Sequence, residues 1–164
     1  MGLQTIHEDT ARYIRRGYPL SCFEQACADL KALQIPFIVH TILGLPGETN
    51  IQLLQTMDYL NRIQPFGIKL QLLHVLKDTD LADDYLAGKF EALTFDAYID
   101  LVISCLAHLS PDIVIHRVTG DGPKNLLIAP TWSMDKRGVL NELHHRMKKQ
   151  GIRQGDLFPK DNYS

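Results

Sequence analysis

The residues able to do chemistry in this 164-residue chain are seven histidines, three cysteines and a few well-spaced cations and amides. Cys22 and Cys27 lie five apart on one predicted helix, which at about 100° per residue separates them by roughly 140° around its axis. They cannot face one ion without unwinding that helix, and Cys105 falls in an apolar stripe, so no metal site is expected. His40 and His74 sit at or near the C-terminal ends of predicted strands, where α/β folds gather their ligands. His116 and Arg117 lie inside a predicted strand, which suits a charged pair only if it faces a cavity. Gln4 and Arg16 are separated by one loop and one helix, and either could reach a carboxylate or a ribose hydroxyl. A helix dipole explains Arg16 equally well. Gly120-Asp121-Gly122-Pro123 is a turn by composition, open to a phosphate-binding or active-site role or to none. Trp132 and Lys136 flank the start of the last helix, where a lone tryptophan is a packing anchor by default.

These groups need elements to hold them, and the central one is the stretch His40-Thr41-Ile42-Leu43-Gly44-Leu45-Pro46-Gly47-Glu48-Thr49. Ile38, Val39, Ile42 and Leu43 supply the β-branched, apolar run of a buried strand. Gly44, Pro46 and Gly47 force a turn whose glycines would let backbone approach a ligand, and Thr49 can cap the helix carrying Leu53, Leu54, Met57 and Leu60. The loop reads as part of a nucleotide-type cofactor site that is incomplete in this chain.

Strands are predicted to start near residues 2, 37 and 68, a βα period slightly above 30 residues and the mark of parallel strands with helical crossovers. A helix spans Glu8 to Arg16 and stops at Gly17; the next opens on a Ser21/Glu24 capping box and buries Phe23, Ala26, Cys27, Leu30 and Leu33. Ile68–Val75 reads as a strand, Leu81–Ala87 as a short helix closed by Gly88, and Thr94 starts an amphipathic helix through Leu109. Ile113–Val118 is a fourth strand and Leu126–Ala129 a short apolar segment. Ser133 caps a last helix to Lys149, with Gly151 beyond its end. Residues 152–164 are expected to fray. Four such strands make a partial α/β barrel, since a closed eight-stranded one needs about 250 residues.

Composition places the chain among ordinary globular proteins, with 45% hydrophobic and 22% charged residues and no apolar run near the roughly 20 residues of a membrane span. Three cysteines and the lack of a basic-then-apolar leader point to a reducing cytoplasm. The net charge of −2 is uneven: residues 135–164 hold 7 Lys+Arg against 4 Asp+Glu. That basic tail, with Arg146, Lys148, Lys149 and Arg153, is a weak pointer to nucleic acid.

With Gly2-Leu3-Gln4, Arg16-Gly17 and His40-x-Ile42-x-Gly44-Leu45-Pro46-Gly47-Glu48 in register, the chain resembles the radical S-adenosylmethionine (radical SAM) superfamily. It is similar to the C-terminal half of that family's (βα)6 core followed by its C-terminal extension, in an uncharacterised subfamily. The strings Ile68-Lys69-Leu70, Leu73-His74-Val75-Leu76, His116-Arg117, Gly120-Asp121 and Ala129-Pro130-x-Trp132-Ser133-x-Asp135-Lys136 carry the match over residues 2–145. The resemblance implies a core half over 1–76, an α-rich extension over 77–151 and a flexible tail over 152–164. It assigns S-adenosylmethionine contacts to Gln4, Arg16, His40, Ile42, Gly44, Leu73 and His74, and leaves His116, Arg117, Asp121 and Lys136 as candidates on the substrate side. His40 stands where relatives often carry Asp. The family's [4Fe–4S] cluster is held by three closely spaced cysteines that this chain lacks, so the resemblance implies a fragment without catalysis of its own. Its expected partners are the missing N-terminal half or a second copy; a binding module or an RNA-binding half-barrel is the alternative.

Overall fold

A computed structural model describes residues 1–120 and 122–158. The expectation placed on Asp121, and that placed on residues 159–164, lie outside the described residues. The chain runs β1 (Gly2–Gln4), α1 (Glu8–Tyr13), α2 (Leu20–Ala32), β2 (Ile38–Leu43), α3 (Asn50–Ile63), β3 (Gly67–Leu72), β4 (Val75–Leu76), α4 (Asp80–Leu86), α5 (Phe95–His108), β5 (Val114–Arg117), β6 (Leu127–Ala129), a 3-10 turn (Thr131–Met134) and α6 (Lys136–Gln150). Strands β1, β2, β3 and β5 form one sheet in the order β1-β2-β3-β5, every pair parallel.

Period-two alternation sorts the sheet's two faces. Leu3, Val39, Thr41, Leu43, Ile68, Leu70 and Leu72 are buried on one face. All but Thr41 pack in one cluster with Phe23 and Cys27 of α2, Leu53, Met57 and Leu60 of α3, and Ile99, Val102 and Leu106 of α5. The alternate positions Gln4, Ile38, His40, Ile42, Lys69 and Gln71 are only half buried. In an α/β barrel the helices wrap the outside and strand side chains fill the inside. Here the outer layer is built and the inner face is open, which is the partial barrel expected.

Asn61, fully buried on α3, ties the outer helices together: its Nδ2 donates to the His108 carbonyl at 2.8 Å and its Oδ1 accepts from Ser110 N at 2.9 Å. Thr49 and Thr94 cap α3 and α5 as expected, Thr49 in a reciprocal box with Gln52, and Gly151 ends α6 at φ +67°.

Four local expectations fail. The Ser21/Glu24 box does not form: Pro19 is the cap of α2, and the Glu8 carboxylate accepts from Leu20 N instead. Ser133 sits in the 3-10 turn and donates to the Pro130 carbonyl, while Asp135 caps α6 by accepting from Gly138 N. The strand expected over 68–75 stops at Leu72, and Val75–Leu76 pairs antiparallel with Leu127–Ala129 in a separate ribbon. Residues 152–158 do not fray. Gly155 N and Leu157 N donate to the Leu106 and Ala107 carbonyls, and Gln154 Nε2 donates to those of Ser110 and Ile113.

Candidate functional site

A cleft of about 980 Å3 opens at the C-terminal end of β1, β2 and β3, where Ile42, Leu45 and Leu73 give it an apolar wall. Gln4 enters from β1, while Tyr13, Arg15, Asp78, Asp80 and Asp84 form its polar rim. Among the described residues, five other than glycine have φ between +49° and +61°. Gln34 and Gln64 follow the ends of α2 and α3; the other three, Gln4, Arg15 and Asp78, all line this cleft. A left-handed non-glycine residue costs on the order of 1 kcal/mol and clusters where function requires it. The rim is bridged from α1 to α4: Tyr13 Oη donates to Asp84 Oδ2 at 2.5 Å, Arg15 pairs with Asp80, and Lys89 pairs with Asp84 at 2.5 Å.

Gln4 and Arg16 are brought together, but with different tasks. The Arg16 side chain is buried and donates to the carbonyls of Leu3 (3.1 Å), Thr5 (2.7 Å) and Tyr18 (2.9 Å) and to Glu8 Oε1 (3.0 Å). It therefore clamps the chain on both sides of Gln4 and fixes the bend that turns this residue into the cleft. Gln4 Oε1 is buried and has no hydrogen-bond partner, and Gly2 leaves the space for its amide, since a Cβ there would stand 2.6 Å from Gln4 Nε2.

The Gly44–Glu48 loop forms the neighbouring wall. Gly44 is at φ +81°, but the space beside it is taken by Leu93, 2.8 Å from where a Cβ would stand. A side chain there would meet Leu93, so the glycine is required by that close approach. Glu48 is not singled out by the sequence. It reaches toward the β1–α1 turn, its Oε1 buried without a hydrogen-bond partner, and burial raises its pKa against the opposing influence of the Thr5 and Thr10 hydroxyls and the His7 ring.

Toward β5 the candidates separate. His40 lies in mid-strand rather than at the end of β2, on the open inner face at the level of Lys69. Burial, then the charges of Lys69 and Arg117, hold its pKa low. His116 packs over Gly67, at the opposite end of β3 and roughly 20 Å along the strand from Leu73 at about 3.3 Å per residue, so the structure does not bring it to the cleft. Leu73 lines the cleft, whereas His74 turns toward the loop after β5, where Gly120 and Gly122 close over its ring. Burial and the Lys136 charge lower its pKa. The rim residues Tyr13, Arg15, Asp78 and Asp84 escaped notice because they gather from two segments 65 residues apart.

Cys22 is exposed and Cys27 buried on the same helix, while Cys105 is enclosed in α5 with its thiol pushed up to about 12 by burial. Among the described residues no three His, Cys, Asp or Glu side chains are placed to hold a metal ion, and no helix is long and apolar enough to cross a membrane.

Residues 65–149 match the family described as the radical SAM C-terminal domain. The uncharacterized protein YtqA of Bacillus subtilis is 37% identical over 158 residues, which is 96% of this chain and 49% of that protein. Protein YhcC of Escherichia coli is 28% identical over 157 residues, 96% of this chain and 51% of that one. The chain thus spans about half the length of the curated relatives it matches. The solved structure of the archaeal Methanocaldococcus infernus Elp3 with an N-terminal deletion superposes with a TM-score of 0.81 at 18% identity, over 93% of this chain and 36% of that one, and so shares the fold. With a family match over just over half its residues and the half-barrel in place, this chain belongs to the radical SAM proteins, within their C-terminal-domain family.

Proposed function

We propose that this chain supplies one wall of an S-adenosylmethionine cleft in a radical SAM protein. The observation that carries this reading is Gln4: a buried amide oxygen without a partner, held by the Arg16 clamp at the edge of an otherwise apolar wall. A buried polar atom left unmet costs about 1–3 kcal/mol, which a ligand hydroxyl or ammonium would recover. Ile42, Leu45 and Leu73 suit a flat apolar ring, and Gln4 suits a ribose or amino-acid group beside it.

The cofactor, when bound with a reduced cluster, supplies a deoxyadenosyl radical; these residues would bind and orient it and exclude water. The cysteines present do not fit the cluster. Cluster iron takes thiolates, and Cys105 keeps its proton while Cys22 and Cys27 diverge. The cluster ligands therefore belong to another segment, and this chain alone performs no catalysis. Calorimetric titration with S-adenosylhomocysteine tests the cleft: we expect binding that Gln4→Ala weakens roughly tenfold, one lost hydrogen bond to a buried group. Unchanged affinity in Gln4→Ala overturns the assignment. Stoichiometric iron and sulfide after reconstitution, with reductive cleavage of S-adenosylmethionine, would overturn the inactivity.

RNA binding is the second reading, favoured by the exposed Arg137, His144, His145, Lys148 and Lys149 of α6. Arg146 is not part of that face, being engaged by Glu142, Asp96 and Asp100. Binding to bulk RNA that shows no salt dependence, or no binding, dismisses it.

A further inference from the structure

Helix α4 stands apart from the packing that holds the rest of the chain. The main core joins the sheet to α2, α3, α5 and α6. Of the seven residues of α4 only Ala82 is buried. It belongs to a second, smaller cluster with Val75 and Ala129 of the β4–β6 ribbon and the partly buried Tyr85 and Phe90. Yet Asp80, Leu81 and Asp84 of α4 line the cleft, as do Tyr13 and Arg15 at the end of α1. Two polar contacts join these sides: Tyr13 Oη donates to Asp84 Oδ2 at 2.5 Å, and Arg15 pairs with Asp80. The side chains of that ion pair are 77% and 64% exposed, so water and salt compete for both partners. The backbone is left-handed on each side of the helix, at Asp78 (φ +61°) and Gly88 (φ +71°). Element-terminal residues of this kind are where a change of backbone angle can swing a helix as a unit.

We propose that α4 is a lid on the cleft, hinged at Asp78 and Gly88 and latched to α1 by the Tyr13–Asp84 and Arg15–Asp80 contacts. Unlatching admits and releases the ligand. The latch is polar and exposed, hence weak enough to open, and a single buried alanine gives up little apolar burial when the helix moves. The floor of the cleft, with Ile42 and Leu45, stays in place because its strands and loop belong to the main sheet. Which ligand enters rests on the cofactor reading; the lid itself does not.

The test reads access to the cleft with and without a ligand. A Cys22→Ser, Leu73→Cys chain carries its new thiol on the cleft wall, while Cys27 and Cys105 are buried, so labelling by a neutral maleimide, normalised to a free thiol, reports entry. We expect labelling to quicken roughly fivefold when Tyr13→Phe and Arg15→Met remove both contacts and keep the bulk. It should quicken also toward about 1 M salt, where the Debye length is roughly 3 Å. Amide exchange over residues 80–86 should accelerate in the same variant while that of α3 and α5 does not. Should Leu73→Cys not fold, this exchange measurement on the otherwise native chain decides alone. Mixing with S-adenosylhomocysteine should show association and release both faster in the unlatched variant, whereas a merely damaged site would speed release alone. Labelling and exchange that ignore the two substitutions, α3 and α5 opening together with α4, or association left unchanged would each overturn the lid. A chain whose labelling responds but which fails to bind S-adenosylhomocysteine overturns the cofactor reading and leaves the lid standing.

Discussion

A buried guanidinium is tolerated when its donors are met, and Arg16 meets them with three main-chain carbonyls and one carboxylate. Arg16→Lys keeps the charge but loses the fork, and three donors cannot serve four acceptors; denaturant unfolding should show a loss of about 1–3 kcal/mol. Gln4 then loses its fixed bend, so affinity for S-adenosylhomocysteine falls along with stability. Glu48 gives a pH-dependent counterpart. Its folded pKa is raised, chiefly by burial, so folding favours the neutral acid: the penalty is absent below the unfolded value of about 4.3 and grows as pH rises through the folded one. His40 and His74 have lowered pKa values, again chiefly from burial, and their penalty appears as pH falls below about 6.5. Glu48→Gln should therefore raise the melting temperature at pH 8 and leave it unchanged at pH 4, and a gain of equal size at both values would contradict this assignment.

At the scale of elements, what could be read in the sequence was what local spacing determines. The apolar run of each sheet strand is local, and the Thr49 and Thr94 caps and the Gly151 stop each depend on residues within one turn of each other. Ser21 and Ser133 have the right type at the wrong backbone angles, and the group that caps α2 comes from Glu8, twelve residues before Leu20. No spacing rule reaches that far. The same reason hid the rim, where α1 meets α4 through Tyr13, Arg15, Asp80 and Asp84. These pairs are exposed, so Tyr13→Phe should cost less than about 1 kcal/mol overall, yet hydrogen exchange should quicken across α4 before it does in α3 or α5. The segment after α6 reads as frayed because polar residues usually mean surface. Gln154 is polar in order to serve the carbonyls of Ser110 and Ile113, and Gln154→Ala should destabilise by about 1–3 kcal/mol in the same unfolding assay.

At the scale of the molecule, the sheet has one finished face and one unfinished face. Helices cover the first, while His40, Ile42, Lys69 and Gln71 stand half exposed on the second, beside the edge strand β1. An open parallel sheet is uncommon, because its strands are normally covered on both sides and its edges paired or blocked. The chain spans about half of its curated relatives, and a segment completing the barrel would cover this face, pair with β1 and close the cleft that Gln4 and Leu73 now bound on one side. The expected outcome follows from linkage: a partner that binds only the folded chain raises its melting temperature in proportion to occupancy. Co-expression with the first half of the Bacillus subtilis relative should give a one-to-one complex that melts higher than this chain alone. Ile42→Arg, on the open face, should leave this chain's own melting temperature nearly unchanged while abolishing the complex, since a charge buried without a partner costs several kcal/mol. A complex that survives Ile42→Arg would mean that the partner docks elsewhere and that the inner face serves only the ligand.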